Sequence, residues 1–596
     1  MNDSLDHDAM AVALQSIVDI EQQPANNLKP YIETTKSGLF YVTRQQDKDT
    51  GEVVEKRAPL SSIFHHLGGG LDEHGNHYAV LERPRHYGSD SRTIVLPLGD
   101  VGTGQGWKVL QSNGVMIYSQ KSSREKLADY IQKEALQVSH AITDKGGWHH
   151  DGKAYILPSG EVITPLDKLK VIYNGDKSQA AAFATKGTLK DWNNTIGQYI
   201  TGNSRLCLAV GTALAAPLLQ LLGLESGGFH IFGDSSDGKT TAAKVALSVW
   251  ANPNDAKVSW NGTGYAFTNI ANSRNDNFMM LDEIGEASPQ AVYSMAYSVL
   301  NGTGKAQGNK DGGNRAVKKW RVLVFSTGEK SISGYVERGG RFQWQAGQET
   351  RLPSIPANAG KGLGVFDTLH GFGTGKDMAE HLNDAVLHNY GGAGVAFVKY
   401  ILQHSDLVTE LAKQYTDTFK ATLPNMGNQA GRIANRFALV AATLMLAIDA
   451  KLLPMSHDDA MQSIKQCLND WIARSGTGNY EEKRIIEQAS VFFEQAAYNR
   501  FVSLNRANNH EHTPPNFAGL REERGEKAPM YYVLTGVFDA EISQDFDRHK
   551  VVTVLDGIGW LIVPSGKHKT TRKRFNGEVK RYFVFEGSAP PDHEEE

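Results

Sequence analysis

The chain has 596 residues, with 62 Lys+Arg against 66 Asp+Glu, 20 His and 2 Cys. That length predicts several domains of about 100–200 residues, and 40% hydrophobic with 21% charged residues excludes global disorder. Cys207 and Cys467 alone exclude a disulfide framework or a cysteine zinc site. A net charge of −4 excludes a uniformly basic coat, so any nucleic-acid contact must come from a local patch.

Taken in chain order, the start is acidic and has no apolar run, which argues against a signal peptide and for a cytoplasmic protein. A short helical lead is expected at 11–18. Residues 31–173 read as β-rich, with apolar runs at 38–42, 93–98 and 115–118 between Gly and Asp turns. One helix is expected there, at 123–135, capped by Ser122 or Ser123. The uncharged stretch 206–224 is long enough for a membrane span. Pro217, Gln220 and its alanines make a buried helix the better reading, and no membrane partner is expected. Apolar strands at 228–232, 278–281 and 322–325 alternate with helical segments, which predicts a parallel α/β core. Residues 377–475 read as helical, and 480–585 as helices ending in a hairpin of 559–563 with 581–585. The acidic end is expected to be disordered.

The strongest signal is Gly233-Asp-Ser-Ser-Asp-Gly238-Lys239-Thr240, a full G-x-x-x-x-G-K-[ST] match between an apolar strand and a helical run. Gly233, Asp234, Ser235, Ser236, Asp237 and Gly238 would curl so that backbone N–H groups face phosphate oxygens. The helix opening at Lys239, Thr240 and Thr241 adds its positive end. Lys239 would reach the β and γ phosphates of ATP, and Thr240 would hold Mg²⁺. Two further glycine-rich stretches read as loops. Gly371-Phe-Gly-Thr-Gly-Lys376 lacks a preceding strand, and Gly102-Thr-Gly-Gln-Gly is expected to have no helix after it.

About forty residues after Lys239, an apolar run ends in Asp282-Glu283. That puts a carboxylate at the carboxyl edge of the sheet, where ligands of open α/β sheets sit. Asp282 would join the Mg²⁺ shell, and Glu283 would orient and polarise the attacking water. The third strand ends in Ser326-Thr327-Gly-Glu329, where a polar group could contact the γ phosphate or the attacking water, with a strand-end cap as the alternative. Arg351 is the candidate finger for a neighbouring subunit's phosphate, with Arg338 and Arg341 as rivals. Arg436 or Arg432, one helical turn apart on one face, would sense nucleotide from a helical lid, with a solvated helix face as the alternative.

Between the second and third strands, Lys305, Lys310, Arg315, Lys318 and Lys319 lie in a glycine-rich segment that suits a hairpin tracking DNA phosphates. A second basic run contains Arg572, Lys573 and Arg574, in the turn and flanks of the terminal hairpin. Helices followed by a basic hairpin suggest a winged-helix-like domain binding DNA. His65-His66 and His149-His150 lack companion ligands for a metal.

The ordered set Gly146-Gly-Trp148-His, Gly233-to-Thr241, Trp260-Asn-Gly-Thr, Asn275-Asp276, Leu281-Asp-Glu, Leu300-Asn-Gly-Thr-Gly-Lys305, Trp320-to-Glu329 and Gly347-Gln-Glu-Thr-Arg351 resembles the prophage and mobile-element ATPases grouped as domain of unknown function 927. The resemblance implies an AAA+ core similar to minichromosome-maintenance-type replicative helicases. It also implies a hexameric ring on DNA with Lys305 in a channel-facing hairpin. No zinc ribbon or fused primase is visible, so a separate primase or polymerase is the expected partner.

The sequence therefore predicts an α/β chain with a P-loop AAA+ core. Its expected divisions are a lead at 1–30, a β-rich domain at 31–176, the ATPase core at 177–375, a helical lid at 376–475, a winged-helix-like domain at 476–588 and an acidic tail at 589–596. The expected function is an ATP- and Mg²⁺-dependent DNA helicase. The alternatives are a DNA-assembled ATPase switch without unwinding, or an interaction protein stabilised by nucleotide.

Overall fold

The computed structural model of the chain describes residues 28–85, 90–166, 169–308, 313–314, 316–338, 342–476, 480–504, 513–544, 546–564 and 569–591. The helical lead at 11–18, Lys310, Arg315, Arg341 and the end of the acidic tail lie outside the described residues. The chain divides into two compact units, Met1–Ser178 and Gln179–Glu596.

The first unit is β-rich. Strands Tyr31–Thr35, Gly38–Gln46 and Val53–Ser61 form an antiparallel meander. A five-stranded mixed sheet runs in the order Val171–Tyr173, Val138–Thr143, His65–Asp72, His77–Arg83, Arg92–Pro97. The expected strand at 115–118 is reduced to one bridge, Ile117 to Ser61. Two expectations are corrected here. Gly104–Ser112 is a helix, directly after the glycine-rich stretch at 102. Thr103 accepts a hydrogen bond from the Gly106 N–H as its cap, and Trp107 and Leu110, three residues apart, are buried. Burial of that face outweighs the cost of two glycines. The second helix, Lys121–Glu134, starts before both predicted caps, and Ser123 is buried inside it.

The second unit is organised by a five-stranded parallel sheet in the order Val258–Ser259, Asn277–Asp282, Val322–Gly328, Gly227–Phe232, Ser354–Pro356. The three central strands are buried along almost their whole length, as continuous apolar runs covered on both faces should be. Helix Ser204–Ala215 is wholly buried, and Pro217 ends it before the short turn Leu218–Leu221. Among the described residues, one helix, Asn428–Asp449, is long and apolar enough to cross a membrane. It is 72% buried over its most apolar window and packs on helices Ser204–Ala215, Ser405–Lys420 and His457–Ser475, which makes it a core helix.

The last segment contains the expected pairing of 559–563 with 581–585, as Leu561 against Phe585 and Ile562 against Val584, within a larger sheet. A six-stranded sheet joins Phe501–Ser503, Gly519–Arg524, Lys527–Leu534, Glu578–Glu586 and Leu561–Ile562, with Thr571–Phe575 pairing on Glu578–Glu586. The basic run lies in the turn and flanks of a hairpin, as the sequence suggests. It forms both arms of a hairpin that turns at Asn576-Gly577, Asn576 adopting φ +47° and Gly577 +79°. This is the dipeptide that a two-residue hairpin turn favours.

Helix Gly392–Gln403 approaches the end of the helix after the glycine loop so closely that a Cβ on Gly394 would lie 2.5 Å from the Trp250 ring. Gly394→Ala is expected to overpack this contact and cost about 1–3 kcal/mol, seen as a lower urea midpoint with unchanged helix content.

Candidate functional site

The loop 233–238 leaves the central strand Gly227–Phe232 and opens into helix Lys239–Ser248. Gly238 adopts φ +82°, and a Cβ there would stand 2.9 Å from Val365. Both the handedness and the close neighbour require glycine. The loop rests on a second glycine-rich segment, the Val365 N–H donating to the Asp237 carbonyl at 2.8 Å. The Asp234 N–H donates to Asp237 Oδ2 at 2.9 Å. Lys239 is buried, and its Nζ donates to the carbonyls of Gly233 at 2.9 Å and Asp234 at 2.6 Å. The ammonium is thus curled onto its own loop, and a triphosphate would have to draw it away. Charge-assisted bonds to phosphate are stronger than those to neutral carbonyls.

An open cavity of about 680 Å³ lies over this loop. Ser235, Ser236, Asp237, Gly238, Lys239, Thr240 and Thr241 line it, together with Glu283 from the neighbouring strand end. Glu329, Gly362, Leu363, Gly364, Phe366, Gly375, Lys376 and Ala379 complete the wall. Glu329 belongs to the strand-end stretch singled out in the sequence, whereas the residues from 362 to 379 are not marked there as part of the site. Gly375 and Lys376 belong to the stretch set aside as a loop, and they start helix Gly375–His388, capped by Thr374. The signal was present in Gly360-Lys-Gly-Leu-Gly364, but no local motif ties that segment to the loop.

Asp282 and Glu283 are held by one side chain. Thr327 Oγ1 donates to Asp282 Oδ1 at 3.0 Å and accepts from the Glu283 N–H at 3.0 Å. Lys257 Nζ lies 3.1 Å from Asp282 Oδ2. Glu283 sits at φ +41°, a strained backbone for a residue with a side chain, and such strain concentrates at functional sites. Its carboxylate accepts from the Gly285 N–H at 2.9 Å. Glu283 lines the cavity, and Asp282 does not.

Ser326 lies apart from the cavity. It is fully buried, and its hydroxyl meets His230 Nδ1 at 2.9 Å and the Trp260 indole N–H at 3.1 Å. His230 Nε2 lies 2.9 Å from the Lys330 carbonyl, and burial pushes its pKa down to about 4.

The arginines gather elsewhere. Arg351 Nη2 pairs with Glu225 at 3.1 Å, and its carbonyl accepts from the Gly228 N–H. The Arg436 guanidinium fills the space over Gly227, where a Cβ would lie 1.8 Å from it. Arg351, Arg432 and Arg436 line a separate cavity of about 220 Å³. Burial, with Arg351 nearby, pushes Arg436 down to about 10. This cluster stands at the amino end of the strand whose carboxyl end carries the glycine loop. Within the same motif, Glu349 is buried and accepts from the Trp344 indole N–H at 2.8 Å, an architectural role. Arg338 stacks on Tyr335 at 3.7 Å.

Both basic segments form hairpins. In the first, Thr303 bridges Lys319 and Gly308 bridges Asn314, with Lys305 and Lys319 exposed. In the second, Arg572 stands opposite Arg581 and Lys573 opposite Lys580. Lys573 is engaged by Glu522 at 3.1 Å and lies over Tyr532. Arg572, Arg574 and Arg581 are exposed and have no acidic partner among the described residues. Also among the described residues, no cluster of three metal-ligating side chains occurs.

The second unit is thus an α/β fold whose parallel sheet carries the glycine-rich loop and the carboxylate pair at one edge. The family described as Domain of unknown function (DUF927) matches residues 32–319, so the family resembled in the sequence is the one the chain matches. The fold is shared with a solved structure titled "SCCmec type IV Cch - active helicase", at 18% identity and a TM-score of 0.68, covering 95% of this chain and 98% of that one. No curated protein matches.

His230 makes stability depend on pH. Its folded pKa of about 4 lies below the ordinary 6.5, so the unfolded chain binds the proton first as pH falls. Stability should decrease from about pH 6.5 to about pH 4, by up to about 3 kcal/mol, and then level. His230→Gln should lack that component in urea titrations across the range.

Proposed function

We propose that the chain is an ATP-dependent DNA helicase, a replicative motor of a prophage or mobile element that works as a hexameric ring. The observation carrying this reading is the single cavity shared by the glycine loop and Glu283. The loop N–H groups and Lys239 would hold the triphosphate. Glu283, fixed by Thr327 and its strained backbone, would orient and polarise the attacking water. The donor set suits Mg²⁺, since the exposed Thr240 hydroxyl and the Asp282 carboxylate are the hard oxygen ligands it prefers. When bound, the ion supplies charge neutralisation on the phosphates.

The core is of AAA+ type in this reading, with the helices of 376–475 as its lid. Arg351 and Arg436 serve the cavity of a neighbouring copy rather than their own. Lys305, Lys318 and Lys319 face the single strand from the first hairpin. The order helix Tyr480–Ala496, strand Lys527–Leu534, helix Arg548–Gly557, then the basic hairpin, supports a winged-helix-like duplex-binding domain. Its guanidinium face stores like-charge repulsion that phosphates would relieve. The fold shared with a solved helicase supports unwinding over a switch without it. A cytoplasmic site of action and a separate primase complete the proposal.

Lys239→Ala should abolish ATP hydrolysis and strand displacement on forked DNA while staying folded; unwinding that persisted would remove the motor assignment. Glu283→Gln should keep ATP binding and lower turnover by about 10²–10⁴, measured by phosphate release. Duplex binding separates the two faces of the C-terminal hairpin. Neutralising Arg572, Arg574 and Arg581 should flatten its salt dependence, whereas Lys573→Ala should change it little.

A further inference from the structure

A second cavity, of about 400 Å³, is separate from the phosphate loop. It lies between helix Gly264–Ser273, helix Pro289–Asn301 and the arms of the 303–319 hairpin. Its size falls within the range of small-molecule sites. The hairpin base is fixed against the first helix. A Cβ on Gly304 would lie 3.3 Å from Thr268, and Lys318 Nζ lies 3.4 Å from Asn269 Oδ1.

The lining combines three chemistries. Tyr265 is 59% exposed at the mouth, a large aromatic face left in water. Met295 and Ala291 give an apolar floor. Asn269, Gln307, Ser294 and Ser298 offer amides and hydroxyls, and Lys305 and Lys318 stand on the hairpin arms. A free phosphate would use only the lysines. A purely apolar ligand would leave the amides and hydroxyls unmatched. A nucleotide of a single strand uses all three, with a flat base to stack, a polar edge to bond and a phosphate beside it.

We infer that this cavity captures one unstacked base of a single-stranded DNA, with Tyr265 as the stacking platform and Lys305 on the adjoining phosphate. The inference rests on the DNA reading above and deepens it. Recognition goes beyond backbone charge, and the hairpin holds the strand by a base as well as by its phosphates.

The test is fluorescence anisotropy of the full chain with a labelled oligothymidylate and an abasic strand of equal length. Tyr265→Ala should weaken oligothymidylate binding about tenfold, and Tyr265→Phe should restore it to within about twofold. The preference of the wild type for the base-bearing strand should vanish in Tyr265→Ala. The slope of affinity against salt should stay unchanged in that variant, since stacking releases no counterions, and should fall by about one in Lys305→Ala. An unchanged affinity in Tyr265→Ala, or an equal loss on the abasic strand, overturns the inference and leaves the helicase reading standing. A loss that tracks altered oligomeric state in sedimentation velocity also overturns it and assigns the cavity to a neighbouring copy. A wild-type chain that binds neither strand defeats the DNA reading itself.

Discussion

The register of three parallel strands is the constraint on which the site depends. Leu281 pairs with Ser326, and Ile231 pairs with Thr327. These two pairings bring the end of the carboxylate strand, Thr327 and the start of the glycine loop to one edge. The Gly233 N–H then donates to the Gly328 carbonyl at 3.2 Å, tying the loop's first residue to the strand that carries Thr327. A one-residue slip would turn each side chain to the opposite face. Thr327 would lose both Asp282 and Glu283, and the positive-φ backbone of Glu283 would lose the hydroxyl that holds it.

The pleat also explains why neighbours in sequence serve different ends. Successive strand residues point to opposite faces. Thr327 therefore faces the carboxylates while Ser326 faces His230 and Trp260. The buried layer beneath the site is polar yet satisfied. The imidazole, the indole and the serine hydroxyl hold one another, and such a network fixes a unique geometry because a half-made version is costly in a low-dielectric interior. The strain at Glu283 is sustained by this rigidity below it and by Thr327 beside it.

What was legible in the sequence was local. The glycine loop announced itself because the backbone requirement, the lysine and the helix start are contiguous. The Asp282-Glu283 pair was legible because a strand end and its acids share six residues. Ser326 and Thr327 were read together because sequence does not reveal which face each occupies. The far wall at 362–379 was not legible, since it reaches the loop only through the tertiary fold. The helix Gly104–Ser112 was hidden by its glycines, although Trp107 and Leu110 carried the compensating burial. In the C-terminal sheet, the strands 519–524 and 527–534 are so charged or Gly/Pro-punctuated that periodicity alone does not mark them.

The arginine cluster lies at the opposite end of the sheet from the glycine loop. Arg351 and Arg436 meet the central strand at Gly228 and Gly227, and the glycine loop begins at Gly233. At about 3.3 Å per residue, those separations are about 17 and about 20 Å, beyond any side chain's reach. Neither arginine can touch a phosphate held by its own loop without breaking the sheet. Yet the cluster is costly to keep, since Arg436 is buried beside two like charges and Glu225 is the one carboxylate lining its cavity. On the reading proposed above, a neighbouring copy that presented a phosphate held by its glycine loop to this face would supply an anion. On the proposed reading, the charge imbalance at one end of the sheet and the loop at the other would be complementary halves of a head-to-tail contact, the kind that closes into a ring when the rotation permits.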